Sequence, residues 1–470
     1  MKEIISGDNK AYYLIQPYLN EDMNSEEIEY KISNYVIFEK IDDGYLLFHS
    51  ISWSLYLLTE DEYNNILTFD GVETLKKWLI ILPSYIDEIH IAKVIYRNRF
   101  TTDGNIFFKP SYRNIHNYII FTTNLCNAKC EYCFEKNRLT QTTMSEDVAI
   151  KTAQFMMKNS TTDEPLSLTW FGGEPLLNTK SIDVICDELK NNFRQYRSYL
   201  ITNGFLLTDD NIEKMCNAWN VQNIQITLDG KGEIYNKIKN FKVENAFERV
   251  INNIKNLLKL YTHPLSLTLR FNVSYDNIDY MDDLLKYVET EILPLKGIHK
   301  VKGSIVMRYE TFTDNYNSNK DLRKKITDLR TKYNSFIKHD KEWTLWYKRT
   351  SHCYADSCGG LAINPEGKIG VCEGWYEDSV MGDVENGVTN IEPSKKYIMK
   401  FPENIVFCIR NNCPLTPSCT HYSPCSNSWS CTVPESIDLQ IEFLKEKMVT
   451  TYNVWKHKKS LPIKNENGEE

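Results

Sequence analysis

The chain has 470 residues, of which 42% are apolar and 25% charged, and its formal net charge is -8. This length predicts two or three domains, each with its own apolar core. The acidic balance and the scattered lysines argue against a nucleic-acid partner. The N-terminal segment MKEIISGDNK lacks the apolar stretch of a signal peptide, and no apolar run is long enough to cross a bilayer. The sequence therefore predicts a cytoplasmic protein with no membrane partner.

Thirteen cysteines are the most unusual feature of the composition. Because disulfide-dense chains are typically small and exported, this long chain is expected to use its cysteines for metal binding. Three of them lie in the motif CNAKCEYC, and eight more lie between residues 353 and 431. The remaining two cysteines are Cys186 and Cys216. Each stands alone in a helix-like stretch, so both are expected to be buried, inert thiols.

The first 110 residues are predicted to form a small α+β module. Its strand-like runs are 35–42, 44–50 and 53–59. Its helix-like runs are 60–67, 72–82 and 84–98. The turn signal DDG joins the first two strands as a hairpin, and no motif in the module carries chemistry.

A regular alternation of strand-like and helix-like runs follows, which predicts an α/β domain with a parallel sheet, either open or curled into a barrel. The strand-like runs are 117–124, 166–173, 198–204, 223–230, 265–273 and 303–310. Active sites of such sheets lie at the C-terminal ends of the strands. The polar and glycine residues at those ends are Thr123, Asn124, Gly172, Gly173, Glu174, Asn203, Gly204, Asp229, Gly230, Arg270 and Asn272.

The motif CNAKCEYC supplies three thiols, Cys126, Cys130 and Cys133, directly after the first of these strands. A 4Fe-4S cluster held by three thiolates keeps one iron with an open coordination position. A zinc site is the alternative, with Glu131 or Glu135 as a further ligand.

The spacing of these cysteines, with Tyr132 just before the third, resembles the signature loop of the radical S-adenosylmethionine (SAM) enzymes. The resemblance implies that the open iron binds the amino and carboxylate groups of SAM. It also implies that one electron from the cluster cleaves SAM to a 5'-deoxyadenosyl radical, which removes a hydrogen atom from an unactivated carbon. The corresponding fold is a partial (β/α)6 TIM barrel, expected here over residues 111–315.

Further motifs of that family occur in the expected order. FGGEP, with Gly172, Gly173 and Glu174, is similar to the motif after the second strand that meets the methionine amino group. The other matching positions are Asn203 in TNG, Thr227 in QITLDG and Arg270 in LRFNV. The resemblance implies that Asn203 lies near the cofactor and that Arg270 pairs with the SAM carboxylate, which suits a guanidinium group. The segment KGEIYNKIKNF departs from the family pattern, so no substrate contact is carried over to it.

The eight later cysteines resemble the SPASM extension of radical SAM enzymes that act on peptides, expected here over 346–455 after a helical connector at 316–345 and before a tail at 456–470. Eight thiolates equal two complete 4Fe-4S sites, which makes three clusters in the chain. The family's arrangement implies one auxiliary cluster on Cys353, Cys358, Cys372 and Cys425, and another on Cys408, Cys413, Cys419 and Cys431. Some spacings depart from the common pattern, and two structural zinc sites are the alternative.

Glu373, directly after Cys372, matches the acid that takes a proton from the substrate in sulfatase-maturing relatives, and its proposed role is a general base. An exposed glutamate with no such role is the alternative.

The module at 1–110 resembles the winged-helix-like peptide recognition element of ribosomal peptide maturases, in which a leader peptide adds as a strand to a sheet edge. A generic capping domain is the alternative. The whole pattern resembles thioether-forming maturases of the sactipeptide and ranthipeptide type. It implies a precursor peptide with a leader as substrate and a reductant such as flavodoxin or ferredoxin.

The preferred reaction is formation of a cysteine thioether in the peptide. Carbon-carbon crosslinking of the peptide and formylglycine formation in a sulfatase are the alternative reactions. Epimerisation is disfavoured because it needs no electron acceptor, which is the role expected for an auxiliary cluster. The alternative hypothesis outside the enzymes is a scaffold that binds metal and peptide without catalysing a reaction.

Overall fold

The fold is taken from a computed structural model of the chain, which divides into two compact units. The first unit comprises Met1–Lys109, Asp340–His352 and Met399–Glu470, and the second comprises Pro110–His339 and Cys353–Ile398. The residues that the structure describes are 1–5, 29–50, 54–84, 86, 112, 114–133, 135, 141–308, 319–337, 355, 359–374, 379–394 and 437–460. No helix in these ranges is long and apolar enough to cross a membrane.

The first unit is built on an antiparallel sheet with the strand order β1-β5-β4-β3, and a separate pair joins β2 to β6. These strands are β1 Lys2–Ile5, β2 Tyr30–Ile32, β3 Val36–Ile41, β4 Gly44–His49, β5 Ser54–Leu58 and β6 Ile81–Pro83. Two helices, α1 Glu60–Leu67 and α2 Val72–Lys77, lie between β5 and β6. The three predicted strands of this module are present as β3, β4 and β5.

The prediction of a helix over 72–82 is wrong for the second half of this run. The helix ends at Lys77, and residues 81–83 form β6, which pairs with β2. Leu79, Ile80 and Ile81 are each buried, so this run has no polar face of the kind that an exposed helix presents. A short, fully buried apolar run fits a strand better. The helix predicted over 84–98 lies almost entirely outside the described residues.

A C-terminal helix, α10 at Ile437–Ser460, completes the core of the first unit. Its apolar residues Leu444, Met448 and Tyr452 pack against Phe48 and Leu55 of the sheet. The Tyr452 hydroxyl also donates a 2.5 Å hydrogen bond to Asp43 Oδ2. The boundary predicted at residue 455 therefore falls inside a helix that belongs to the N-terminal sheet.

The second unit contains six parallel strands that pair in the order of the sequence. They are β7 Asn117–Thr123, β8 Leu166–Gly172, β9 Tyr196–Thr202, β10 Val221–Thr227, β11 Ser266–Val273 and β12 Lys300–Met307. The helices are α3 Glu146–Lys158, α4 Thr179–Asn191, α5 Asp209–Asn217, α6 Glu233–Lys239, α7 Ala246–Leu260, α8 Met281–Tyr287 and α9 Asn319–Lys332. The prediction of an α/β domain with a parallel sheet is confirmed.

The parallel sheet continues beyond β7 instead of closing on β12. Its next strand, β13 Gly360–Ile363, runs parallel to β7. Three short antiparallel strands then extend the sheet, namely β14 Lys368–Gly370, β15 Val380–Asp383 and β16 Gly387–Val388. The start of the region predicted to hold auxiliary clusters therefore adds strands to the same sheet as the cysteine loop.

Candidate functional site

The cysteine loop, residues 124–133, leaves the C-terminal end of β7 and carries three thiols. The structure leaves Cys126 exposed and Cys130 and Cys133 half-buried. The loop begins with two fixed amides, because Asn124 N donates to Thr142 O at 2.8 Å and Leu125 N donates to Thr123 Oγ1 at 3.1 Å. The loop is thus anchored where it leaves the sheet.

The glycines of FGGEP bring the end of β8 against the start of this loop. Gly173 N donates to Thr123 O at 3.0 Å, and Glu174 N donates to Leu125 O at 2.8 Å. A Cβ atom on Gly173 would overlap the Leu125 carbonyl oxygen, and one on Gly172 would overlap that of Thr123. These glycines therefore permit close packing of one main chain on another, which is the use of glycine at such contacts.

The Glu174 side chain is fully buried and is occupied by the protein itself. Its carboxylate accepts hydrogen bonds from Asn203 N at 2.8 Å, Thr202 Oγ1 at 2.7 Å and Leu176 N at 3.1 Å. Burial raises the pKa of Glu174 to about 7, although these three donors act to lower it. The carboxylate therefore joins the ends of β8 and β9 and is not presented to a ligand.

Asn203 is the predicted site residue in direct contact with a loop cysteine. Its Nδ2 donates to Asn127 Oδ1 at 2.7 Å and lies 3.9 Å from Cys126 Sγ, while its Oδ1 accepts from Phe205 N at 3.0 Å. The Glu174 bond to Asn203 N fixes the main chain of the same residue. Asn203 is thus held from two sides while its amide group faces the first cysteine.

Tyr132 enters a buried polar cluster with Asp229, at the end of β10, and Lys239, at the end of α6. The Tyr132 hydroxyl donates to Asp229 Oδ2, and Lys239 Nζ lies 2.9 Å from both the Tyr132 oxygen and Asp229 Oδ2. Asn272 N donates to Asp229 Oδ1 at 3.0 Å. Burial is the largest single influence and acts to lower the pKa of Lys239, but Asp229, Tyr132 and the other anionic partners together outweigh it and hold that pKa well above its usual value. Burial raises the pKa of Tyr132.

Lys239 also holds the loop through its main chain. Its carbonyl oxygen accepts from Lys129 N at 2.9 Å and lies 3.8 Å from Cys130 Sγ. A single residue therefore anchors the loop at Lys129 and at Tyr132. Sequence reasoning missed Lys239, since it lies in the segment KGEIYNKIKNF that departs from the family pattern, and no periodicity marks it.

Thr227 and Arg270 lie side by side as register partners on β10 and β11. Arg270 Nε donates to Asn272 Oδ1 at 2.9 Å. Both belong to one face of the sheet, where half-buried positions alternate with buried apolar ones. The half-buried polar positions of this face include Ser167, Thr169, Tyr199, Gln225, Thr227, Thr268 and Arg270. This face supplies the polar, partly accessible surface that a substrate site needs.

The three thiols supply the ligands that a cluster with one open iron needs. Within the described ranges, no three His, Cys, Asp or Glu side chains converge on one point. In a 4Fe-4S cluster each thiolate binds a different iron, so the sulfurs need not meet at a point. Although residue Cys126 as a whole is exposed, the protein around its thiol excludes water and raises the thiol pKa to about 12, and the neighbouring Glu174, Cys130 and Cys133 raise it further. The thiols are therefore close enough to influence one another.

Of the residues predicted to bind auxiliary clusters, the structure describes only Cys372, which is buried. The other seven lie outside the described residues, namely Cys353, Cys358, Cys408, Cys413, Cys419, Cys425 and Cys431. Glu373, the proposed base, is half-buried and follows β14. In the β13–β14 hairpin, Gly370 pairs with Ala362, which in turn pairs with Ile119 near the start of β7. The chain therefore leaves β14 toward the end of the sheet remote from the cysteine loop.

Residues 120–288 match the sequence family described as the Radical SAM superfamily. This chain carries a radical SAM domain. The match covers the cysteine loop, FGGEP, Asn203, Thr227 and Arg270. The match of this domain to the superfamily supports an enzymatic role and implies SAM and a 4Fe-4S cluster.

Relatives extend the similarity beyond the radical SAM domain. The radical SAM cyclopropyl synthase TigE of Paramaledivibacter caminithermalis is 26% identical over 460 residues, covering 85% of this chain and 90% of TigE. The serine-type anaerobic sulfatase-maturating enzyme of Bacteroides thetaiotaomicron is 28% identical, over 32% of this chain and 39% of its own length. This chain is thus related to known radical SAM enzymes along most of its length.

A solved structure with the same fold is that of anSMEcpe with bound AdoMet and the Cp18Cys peptide. It aligns with a TM-score of 0.54 at 15% identity, covering 73% of this chain and 99% of the anSMEcpe chain. At this level of identity the likeness concerns the fold, and it agrees with the radical SAM α/β architecture described above.

Proposed function

We propose that this chain is a radical SAM enzyme that modifies a ribosomally synthesised precursor peptide. The observation that carries the proposal is the three-cysteine loop, fixed by Asn203 and Lys239 at the C-terminal ends of parallel strands. The similarity to TigE along most of both chains supports a substrate of the kind that radical SAM maturases modify.

In this proposal Cys126, Cys130 and Cys133 hold the cluster, and Thr227 and Arg270 bind SAM beside it. The cluster, when bound, supplies the electron that cleaves SAM to the hydrogen-abstracting radical. The protein's task is to hold the reacting groups in a fixed geometry and away from water. The hydrogen bonds to Asn203, Glu174 and Lys239 fix the loop before ligands bind. Ligand binding therefore costs little additional conformational entropy in the loop.

The polar face of the sheet is the proposed place for the peptide. Its half-buried side chains can hydrogen-bond a peptide main chain, and its position beside Arg270 places the peptide next to SAM. The N-terminal unit is proposed to capture the leader of the same peptide on the edge of its sheet. Among the described strands of that sheet, β3 and β1 are the outer ones, and an outer strand is where such a peptide would add.

Two products are compatible with this site. A cysteine thioether was the product that the sequence motifs favoured, and the relatives give it no specific support. The printed name of TigE is that of a cyclopropyl synthase, and a cyclopropyl ring requires a new carbon-carbon bond. This similarity moves carbon-carbon bond formation ahead of the thioether for this chain. Formylglycine formation receives support only from a match over 32% of the chain.

The auxiliary clusters on the later cysteines are proposed to accept the electron that is released when the new bond forms. Glu373 can take up the accompanying proton only if the bound peptide extends within hydrogen-bond reach of its carboxylate, because the chain leaves β14 toward the end of the sheet remote from the cysteine loop. Cys408→Ala is then expected to leave SAM cleavage intact and to abolish the mature peptide. Full product formation by this variant would remove the auxiliary cluster from the mechanism.

The primary test uses the chain purified without oxygen, reconstituted with iron and sulfide, and reduced with dithionite. The expected result is 5'-deoxyadenosine from the wild type and none from Cys130→Ala, with Cys186→Ala as the control that keeps activity. A wild-type protein that holds zinc, or never yields 5'-deoxyadenosine, would show that the chain is a scaffold.

The two products are distinguished by reacting the chain with a candidate precursor peptide, chosen as a short reading frame next to its gene. Both bond types remove two hydrogen atoms from the peptide, but only a thioether consumes a cysteine thiol. Mass spectrometry after iodoacetamide treatment therefore shows one fewer labelled cysteine for a thioether and an unchanged number for a carbon-carbon bond. A formylglycine instead reacts with a hydrazide probe.

A further inference from the structure

Cys216 lies outside the radical site and has a neighbour that changes its chemistry. It stands at the end of α5, half-exposed, with Sγ 2.9 Å from His263 Nδ1 and 3.2 Å from Thr262 Oγ1. The prediction that the thiol is buried is therefore wrong for Cys216. It is confirmed for Cys186, which is 1% exposed and whose pKa burial raises to about 12.

The thiol borders a cavity of about 600 Å³ at the N-terminal end of β9, the opposite end from the cysteine loop. Three cationic side chains line this cavity, Lys190, Arg194 and Arg197, and no carboxylate is among its described lining residues. A cavity lined by charges of one sign raises the local concentration of the opposite ion.

Arg194 is the most deeply buried of the three cationic residues that line the cavity. It is 7% exposed, and its Nη2 donates to Ser160 Oγ at 3.2 Å. Its Nε is closed off from solvent and has no hydrogen-bond partner within the part of the chain that the structure describes. The guanidinium therefore keeps a positive charge next to the cavity, and that charge adds to those of Lys190 and Arg197.

We infer that Cys216 is a modification site for small anionic electrophiles, in particular disulfides of anionic thiols. His263 Nδ1 accepts the thiol proton as Cys216 Sγ attacks one sulfur of the disulfide. A mixed disulfide forms on Cys216, and the other half leaves as a thiol after taking up a proton. The exchange needs no further oxidant, because the disulfide bond is transferred and none is gained or lost overall.

The role of His263 follows from where Cys216 sits. The C-terminal end of a helix carries partial negative charge, which opposes a standing thiolate on α5. A neighbouring base that removes the proton during attack avoids this cost. The cationic cavity then favours reagents that carry negative charge.

The test compares alkylation of Cys216 by iodoacetate, an anion, and iodoacetamide, its neutral analogue. The reconstituted full-length chain is treated without oxygen, and labelling is read by peptide mapping and mass spectrometry. The rate of Cys216 with each reagent is divided by the rate of a cysteine in an unstructured peptide with the same reagent, which removes the intrinsic difference between the two reagents. We expect this normalised rate for iodoacetate to exceed that for iodoacetamide about tenfold at low salt, and the preference to shrink as salt is added. Cys186 is the unreactive internal control.

Three variants separate the contribution of His263 from that of the cationic side chains in the cavity. His263→Gln is expected to slow the reaction of Cys216 with both reagents about tenfold, because it removes the base that takes the thiol proton. The double substitution Lys190→Gln with Arg197→Gln is expected to remove the iodoacetate preference and to leave the iodoacetamide rate unchanged. Lys180→Gln, on an exposed lysine at the other end of α4, is the control that changes neither.

The biological ligand class is tested with oxidised glutathione, an anionic disulfide, against cystamine, a cationic one. Faster formation of the mixed disulfide on Cys216 with oxidised glutathione supports the inference. Equal rates with the two disulfides, no preference for iodoacetate, or an unchanged rate in His263→Gln would each overturn it. None of these readouts depends on SAM cleavage, so they stand apart from the proposed function.

Discussion

Lys239 Nζ lies 2.9 Å from Asp229 Oδ2, and the two side chains are only 4% and 0% exposed. The pair holds the Tyr132 hydroxyl, while the Lys239 carbonyl holds the amide of Lys129. A buried ion pair thus connects the ends of β10 and α6 to the cysteine loop.

Lys239→Met should therefore lower the free energy of unfolding by about 3–5 kcal/mol, since it leaves the Asp229 charge buried without its cation. Chemical denaturation of the metal-free chain measures the loss. The double variant Lys239→Met with Asp229→Leu should recover part of it, because no buried charge remains. Lys237→Met, on an exposed lysine of the same helix, is the matched control and should change stability little. A loss in the double variant equal to the sum of both single losses would show that the pair is not coupled.

Glu174→Gln should destabilise the chain by about 1–3 kcal/mol at acidic pH, because an amide nitrogen then faces at least one of three hydrogen-bond donors. The folded-state pKa of about 7 exceeds the ordinary value of 4.5, so the folded chain binds more protons between these values. Wild-type stability attributable to Glu174 therefore falls as the pH rises from about 4.5 to 7. The difference in the free energy of unfolding between wild type and Glu174→Gln should therefore become smaller as the pH rises through this range. Glu213→Gln, at an exposed position, is the control, and a gap that widens with pH would contradict the buried-carboxylate account.

Gly173→Ala should reduce stability by about 3 kcal/mol or more, since its Cβ would overlap the main chain of Leu125. The same variant should bind less iron on reconstitution, because the start of the cysteine loop has to move. Gly71→Ala provides the comparison: its Cβ meets nothing within 4 Å, and its left-handed backbone, with φ of 80°, costs only about 1–2 kcal/mol. Equal losses in the two variants would indicate that Gly173 does not need its close contact with the loop.

Met448→Ala should cost about 2–4 kcal/mol, because this side chain is fully buried between α10 and the N-terminal sheet. Denaturation followed by tryptophan fluorescence can report it through Trp455, which packs against the same core. Glu442→Ala, at an exposed position of α10, should be nearly neutral. If Met448→Ala were equally neutral, α10 would not be part of the N-terminal core in solution.

The sequence by itself determined the parallel strands and the position of the three-cysteine loop. Period-two patterning placed all six strands to within three residues of their observed starts, because burial on a pleated sheet dictates the pattern directly. The spacing of Cys126, Cys130 and Cys133 was equally local, since all three belong to one loop.

Tertiary structure decided what each residue at the strand ends does. Glu174 and the glycines beside it were expected to meet SAM through their main chain, and only the structure shows that their contacts also hold the main chain around the loop. Lys239 gave no signal at all, because its role depends on a carboxylate ten residues earlier and a tyrosine more than one hundred residues earlier in the chain.

The same limit applies to Cys216 and to the run 72–82. Whether a thiol is inert depends on its neighbours, and His263 approaches Cys216 only through the packing of α5 against the loop before β11. A short apolar run is compatible with helix or strand until a partner strand such as β2 is present. Patterns within one element are set by the local sequence, whereas hydrogen bonds and ion pairs between distant elements are set only when the chain folds.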